Sequence, residues 1–176
     1  HMGIHGYRGL KNTLPSEKLQ KINAKLSEIA CLDIVMNNND RHFKNLVFSN
    51  DLDDVKAIDH GLSFGSGMEG HKNHIAEEFY RNFSKNLSVP DHLLTRFKNQ
   101  SFAETKRALS GQGLKDWQIA QTHLRMKYLV HLQEQHGSVP IEAVRYSCVR
   151  ATSEDPVTAQ ILEGSAPRYL TPQRPG

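Results

Sequence analysis

Two short apolar runs separated by a turn-rich stretch place the strongest constraint on the fold. The runs Leu46–Phe48 and Val55–Ile58 flank residues 49–54, which are Ser, Asn, Asp and a single Leu. Runs of this kind bounded by turn formers are typical of strands, and a short turn between two strands makes a hairpin. Because a hairpin returns the chain to its starting point, the residues just before the first run should lie beside those just after the second.

Carboxylates and an amide stand at the two ends of this predicted hairpin. Asp40 and Asn45 precede it and are five residues apart, and Asp59 follows Asn45 by 14 residues. Phosphoryl transfer needs positioning and charge neutralisation rather than covalent help from the protein. Magnesium prefers a few oxygen ligands together with nucleotide phosphate oxygens. The spacing therefore predicts a magnesium-nucleotide site, with Asp40 facing the attacking hydroxyl and with Asn45 beside Asp59.

A buried helix is expected to carry this site. Apolar residues recur at helical spacing over residues 19–30, and the run 31–36 continues the pattern into a core. Ser16 is predicted to be the N-cap. Asn37–Asn39 should end the helix, since Asn competes for backbone hydrogen bonds and tolerates turns. Asp40 would then be fixed by a rigid element.

The remaining sequence indicates a mainly helical chain. Helices are predicted over residues 75–86, 91–99, 101–110, 115–136 and 141–150, after a Gly-rich loop over 65–74. Asp91 and Ser101 are predicted caps, and Gly137 should end the longest helix, whose apolar residues, with Trp117, form one broad core face. The expected fold class is mainly α with a small β-hairpin.

One domain is expected within the 176 residues. An N-terminal loop is predicted over 1–15, beginning with what looks like a cloning scar, and a globular domain over 16–150. Thr, Ser, Pro and Gly dominate residues 151–176, which predicts an extended or disordered tail. A net charge of +3 without dense Lys/Arg runs excludes nucleic acid as the expected partner, and is compatible with an anionic membrane surface. Two cysteines without a CxxC pair favour a reducing, intracellular compartment.

The two linked motifs resemble a known family. Asp-Arg-His-x-x-Asn at 40–45, followed by Ile-Asp-x-Gly at 58–61, resembles the catalytic and metal-binding loops of the phosphoinositide 3-/4-kinase superfamily. The wider segment 32–41 is most similar to type II phosphatidylinositol 4-kinases and to HipA-like and bacterial effector kinases. The similarity covers roughly residues 26–65. It implies a protein-kinase-like C-terminal lobe, in which Asp-His-Gly stands where other kinases have Asp-Phe-Gly.

The resemblance implies a role for each polar residue of the two motifs. Asp40 would be the catalytic aspartate that orients the acceptor hydroxyl or takes its proton, and His42 would contact the transferring phosphate. Asn45 and Asp59 would hold Mg²⁺. Lys44, in a variable position, would be solvated or near phosphate, and it completes the expected cofactor-binding set for ATP.

Simpler structural interpretations accompany several of these assignments. Arg41 is predicted to be an anchor of the loop, and His60 to pack in place of the usual Phe. His42 could only orient the loop by hydrogen bonding. Asp40 could be a surface turn residue and Asn45 a cap at the start of a strand.

A complete kinase also needs an N-terminal lobe, with a Gly-rich strand loop and a strand lysine. Gly3, Gly6 and Gly9 do not form GxGxxG, and the chain reads as helix from Ser16. We therefore expect the N-lobe to be missing from this chain and to come from a longer native protein or from a partner in trans. Little or no phosphotransfer is expected from the chain alone.

The function expected is transfer of the ATP γ-phosphate to a lipid or protein hydroxyl. The alternative is a non-catalytic interaction module with a kinase fold, which the missing N-lobe favours and the intact Asp40, Asn45 and Asp59 oppose. A metal-dependent hydrolase is a third, weaker interpretation. The expected location is the cytoplasm, which would be that of a host cell if the protein is a secreted bacterial effector.

Overall fold

The computed structural model describes residues 12–38, 40–64, 87–138 and 140–141. Several predictions lie outside these ranges: the loop over 65–74, the helix over 75–86, nearly all of the helix over 141–150, and the tail from 151. In the described ranges the chain forms four helices and one two-stranded antiparallel sheet. The prediction of a mainly α fold with a small β-hairpin is confirmed.

The elements follow the chain in a simple order, with a single 3₁₀ turn at Phe43–Asn45 before the sheet. Their bounds are α1 (Ser16–Val35), β1 (Leu46–Phe48), β2 (Val55–Ala57), α2 (Asp91–Asn99), α3 (Phe102–Leu109) and α4 (Asp116–His136). None of the helices in the described part of the chain is both long enough and apolar enough to span a bilayer.

Helix α1 ends in a Schellman motif built on asparagine. The N–H of Asn38 donates to the carbonyl of Asp33 at 2.8 Å, and the N–H of Asn37 donates to that of Ile34 at 3.1 Å. Asn37 takes the left-handed conformation with φ of 50°, which Asn tolerates better than most residues. The predicted end of the helix is thus confirmed. The prediction of Ser16 as N-cap is wrong, because Pro15 holds the cap position and Ser16 is already helical.

The predicted hairpin forms. Leu46 is opposite Ala57 and Phe48 is opposite Val55, and the pair between them, Val47 and Lys56, is exposed on the other face. The inward face is well buried, with 2% of Leu46 and 3% of Val55 accessible. This alternation fixes the register, since a slip of one residue would expose the apolar side chains.

The core forms around α4. One cluster joins α1, the hairpin, α2 and α4, and a second joins Phe102 of α3 to Ile119 and Ala120 of α4. Because α4 lies between the two clusters, every residue from 119 to 126 is buried, including four polar ones. The expectation of a single broad apolar face is therefore wrong, and Trp117 is only half-buried.

The ends of the later helices agree in part with prediction. Ser101 caps α3 in a capping box with Glu104, and Gly137 ends α4 with φ of 76°. Asp91 is not a cap, because Pro90 takes that position and Asp91 starts the helix.

His123 on α4 predicts a pH dependence of stability. Its ring lies 2.8 Å from the Thr105 hydroxyl and packs edge-on against Phe102. Burial, helped by the charge of Lys127, lowers the pKa of His123 from 6.5 to about 4. Between these values the unfolded chain binds a proton that the folded chain does not, so the free energy of unfolding should fall as the pH falls.

Denaturant unfolding of the wild-type chain and His123→Gln, compared across pH, checks this. Above pH 6.5 the stability difference between them should be constant. From pH 6.5 to about 4 it should shift against the wild type by at most about 1.4 kcal/mol per pH unit, and then level off. A difference that does not change with pH would contradict the assignment.

Candidate functional site

A buried ion pair lies at the centre of the site. The Arg41 side chain is fully buried, and its Nε and Nη2 atoms donate to the two carboxylate oxygens of Asp33 at 2.8 and 2.9 Å. Asp33 stands in the last turn of α1, and only 1% of it is accessible. A bidentate geometry of this kind is the strong form of an Arg–carboxylate pair. It joins the end of α1 to the loop that follows.

The same guanidinium also binds the hairpin ends. Its Nη1 donates to the carbonyl of Asn45 at 3.0 Å and to that of Ile58 at 2.9 Å. Nη2 contacts Nδ1 of His60 at 3.1 Å. With the two bonds to Asp33, Arg41 makes five contacts, as many as a guanidinium has N–H donors. The buried charge is thereby fully hydrogen-bonded, which is the condition under which its burial is tolerated.

Two buried asparagines fix the backbone of Asp40 on both sides. The N–H of Asp40 donates to Oδ1 of Asn38 at 3.1 Å, and its carbonyl accepts from Nδ2 of Asn45 at 2.9 Å. Asn38 is itself held, because its Nδ2 donates to Asp33 at 3.1 Å. The Asp40 side chain remains 31% accessible. A rigid backbone thus presents a partly exposed carboxylate.

His42 and Lys44 are held less closely. Nε2 of His42 lies 3.9 Å from Oδ2 of Asp40, which is beyond hydrogen-bond distance. Lys44 is exposed on the 3₁₀ turn. The structure therefore brings His42 beside Asp40, but it joins Lys44 to none of the other predicted site residues.

The hairpin brings the segment containing Asp59 back to Asn45. The antiparallel pairing continues one bond beyond the strands, with the N–H of Ile58 donating to the carbonyl of Asn45 at 2.9 Å. Asp59 follows immediately and is exposed. Its φ of 55° lies in the left-handed region, and its Oδ1 accepts from the N–H of Gly61 at 3.3 Å. Asp59 thus directly follows the residue that pairs with Asn45.

The side-chain oxygens of Asn45 and Asp59 are of the kind that a hard cation prefers. Nδ2 of Asn45 is bonded to Asp40, which leaves the amide oxygen as the atom that could bind a metal. Asp59 offers a carboxylate. One amide oxygen and one carboxylate, completed by phosphate and water oxygens, form a donor set that Mg²⁺ accepts. Over the described ranges, no three His, Cys, Asp or Glu side chains cluster as a metal site of their own.

The chain beyond Asp59 is held to the helices at Phe64. Its N–H donates to the carbonyl of Met36 at 2.6 Å, and its carbonyl accepts from Nε2 of Gln118 at 2.7 Å. On the other side of the loop, Nε of Arg125 donates to the carbonyl of Val35 at 2.7 Å. The end of α1 and the segment after the hairpin are therefore both fixed by α4.

Sequence reasoning singled out Arg41 as an anchor but missed its partner Asp33, and it missed Asn38, which binds Asp33 and the N–H of Asp40. One signal could have found Asp33, which is the only charged residue in the apolar run 31–36. An acid in a buried helical run needs a cationic or hydrogen-bonding partner. The roles of Asn38 and of the Ile58 carbonyl carry no comparable signal in the sequence.

We predict that Asp33→Ala destabilises the fold by about 3–5 kcal/mol, because it leaves the Arg41 charge buried without its partner. Urea denaturation would measure this. The matched control is Glu28→Ala on the same helix, whose partners Lys25 and His92 are exposed. That change should cost no more than about 1 kcal/mol. Equal losses in the two variants would contradict the central role of the buried pair.

Comparison with known proteins bears on part of the chain. No curated protein and no solved structure matches it. Residues 23–106 match the sequence model of the family "Phosphatidylinositol 3- and 4-kinase". The match covers most of α1, the hairpin and α2, and it includes all the predicted site residues. It supports a relationship to the phosphoinositide 3-/4-kinase-like superfamily, whose members use ATP, typically with Mg²⁺, and it indicates a kinase-like phosphotransfer function.

Proposed function

We propose that this chain carries the catalytic and metal-binding loops of an atypical kinase that transfers the γ-phosphate of ATP to a hydroxyl group. The observation that carries the proposal is the guanidinium of Arg41. It binds the carbonyls of Asn45 and Ile58 together, so the loop that bears Asp40 and the turn that bears Asp59 form one unit. Positioning of this kind is what phosphoryl transfer requires of a protein.

Asp40 is the proposed catalytic carboxylate. Its backbone is held at the N–H by Asn38 and at the carbonyl by Asn45, so the position from which its side chain extends is fixed. In this role its carboxylate orients the acceptor hydroxyl and takes its proton. His42, 3.9 Å from Asp40, is the proposed contact to the transferring phosphate. Lys44, exposed beside Asn45, is the proposed cation for the nucleotide phosphates.

Asn45 and Asp59 are the proposed ligands of Mg²⁺. When bound with ATP, Mg²⁺ neutralises charge on the phosphates. The protein's part is to hold an amide oxygen and a carboxylate in place. Asn45 is only 5% accessible and is oriented through its bond to Asp40, whereas Asp59 is exposed at the end of the hairpin.

An apolar surface next to these ligands suits the nucleotide base. Val47 and Ile58 are 43% and 42% accessible. Val47 is opposite Lys56 in the hairpin, so Ile58 is its diagonal neighbour on the same face. Ile58 also pairs with Asn45 through the backbone. We propose that the base rests on Val47 and Ile58 while the phosphates lie toward Asn45.

The acceptor is an inositol lipid or a protein hydroxyl. The matching family favours the lipid. The protein acceptor is a proposal from the sequence of residues 32–41 alone. An N-lobe that covers the nucleotide would come from elsewhere in a longer protein or from a partner in trans. With it, full nucleotide affinity and turnover are expected.

The first prediction from this proposal concerns magnesium-dependent ATP binding. Mg-ATP at about ten times its Kd should stabilise the chain by about 1.4 kcal/mol, which raises the Tm by roughly 3–6 °C. The shift should vanish without Mg²⁺ and in Asp59→Ala. Differential scanning fluorimetry measures each case.

The matched control for this test is Asp53→Ala, which removes a carboxylate from the hairpin turn that is 41% accessible and lies far from Asn45 in the pairing. Asp53→Ala should keep the full Mg-ATP shift. A shift that survives Asp59→Ala would refute the assignment of Asp59 as a metal ligand.

The second prediction concerns the nucleotide base. Val47→Ala should weaken Mg-ATP binding about fivefold, since the loss of apolar contact amounts to about 1 kcal/mol. Leu32→Ala is the control, because Leu32 is similarly exposed, at 40%, but lies on α1. Isothermal titration calorimetry measures both. Equal effects at the two positions would count against the proposed base-binding surface.

A second candidate is a non-catalytic interaction module with a kinase-like fold, and the observation that favours it is that residues 1–39 hold no GxGxxG pattern. Such a module need not bind Mg-ATP. The same fluorimetry distinguishes the two, because the module gives no magnesium-dependent shift.

A further inference from the structure

His60 occupies the position between Asp59 and Gly61 where the ordinary kinase motif has phenylalanine. The expectation that it packs like that phenylalanine is wrong, because the residue is exposed. Its ring is instead engaged through Nδ1, which lies 3.1 Å from Nη2 of Arg41. His60 is thus a polar partner of the central arginine.

The chemistry of this contact fixes the state of the ring. A guanidinium has N–H donors and no acceptor, and it does not deprotonate in proteins. Nδ1 of His60 must therefore be the acceptor in this bond. A ring nitrogen can accept only where it carries no proton, so the contact goes with the tautomer that has its proton on Nε2.

Arg41 binds the residues on both sides of Asp59. On one side it binds the carbonyl of Ile58 at 2.9 Å, and on the other it binds the ring of His60. Asp59 between them has φ of 55°, in the left-handed region that Asp, like Asn, adopts more readily than most residues. Loss of either bond would free one end of this turn.

We propose that His60 is a positioning residue for the metal carboxylate: as an acceptor for Arg41, it holds the Asp59 turn in the geometry that binds magnesium-nucleotide. The inference rests on the proposed function, since Asp59 is the ligand being positioned. Groups that orient metal ligands in this way typically affect metal affinity about 10–100-fold.

Two amide variants, His60→Asn and His60→Gln, distinguish a positioning role for His60 from a general effect on stability. In His60→Asn the amide oxygen takes the place of Nδ1 and can accept from Arg41. In His60→Gln the amide lies one methylene further out and cannot accept at that place. The Mg²⁺ concentration for half-maximal ATP binding should rise at least about tenfold in His60→Gln and less than about twofold in His60→Asn.

A variant that weakens the fold elsewhere provides the structural control. Ser101→Ala removes the side-chain cap of α3, which is formed with Glu104 and not with any residue of the site. It should lower the Tm and leave the magnesium requirement unchanged. Equal magnesium requirements in His60→Asn and His60→Gln would overturn the proposed role of His60.

Nuclear magnetic resonance tests the contact without nucleotide. In alkaline buffer, a long-range ¹H–¹⁵N spectrum of the wild-type chain should show His60 as a single tautomer protonated on Nε2. The exposed His136 should show the mixture of a free ring. A similar mixture at His60, or protonation on Nδ1, would overturn the inference. If wild-type protein shows the single tautomer but no magnesium-dependent ATP binding, the Arg41–His60 contact stands and the proposed function fails.

Discussion

The ion pair between Asp33 and Arg41 is the interaction on which the candidate site depends. It joins the last turn of α1 to the loop after it, and Arg41 then extends to both ends of the hairpin. Each segment alone has little to hold it, since the strands are only three residues long. A two-stranded hairpin is marginal in isolation. The buried guanidinium provides the common point to which these short pieces are attached.

The long helix α4 supports this centre from behind. Arg125 binds the carbonyl of Val35 at the end of α1, and Gln118 binds the carbonyl of Phe64 beyond the hairpin. Polar residues on a buried helix would be costly without partners. Here their partners are the backbone groups at the end of a helix and in an irregular segment, which have no regular ladder of their own. The polar side chains of α4 thus satisfy their own hydrogen bonds and fix the backbone of these two segments at the same time.

The sequence was sufficient to predict the elements that the structure describes, and it was insufficient to predict the contacts that join them. The hairpin followed from two apolar runs around a turn, and the end of α1 followed from its asparagines, because both signals are local. The five contacts of Arg41 could not be predicted in this way, since they join residues 33, 45, 58 and 60 through tertiary geometry. The burial of Arg125 on α4 was not predicted for the same reason, because its partner, the Val35 carbonyl, lies 90 positions away in the chain.

The five bonds of Arg41 have a chemical consequence. Every N–H of its guanidinium already meets an acceptor inside the protein, so this arginine has no donor left for a visiting phosphate. The Arg41 guanidinium therefore has a structural role and does not bind ligands. A side-chain cation that binds the terminal phosphate must therefore come from another residue. Lys44, exposed on the 3₁₀ turn, is the nearest lysine along the chain.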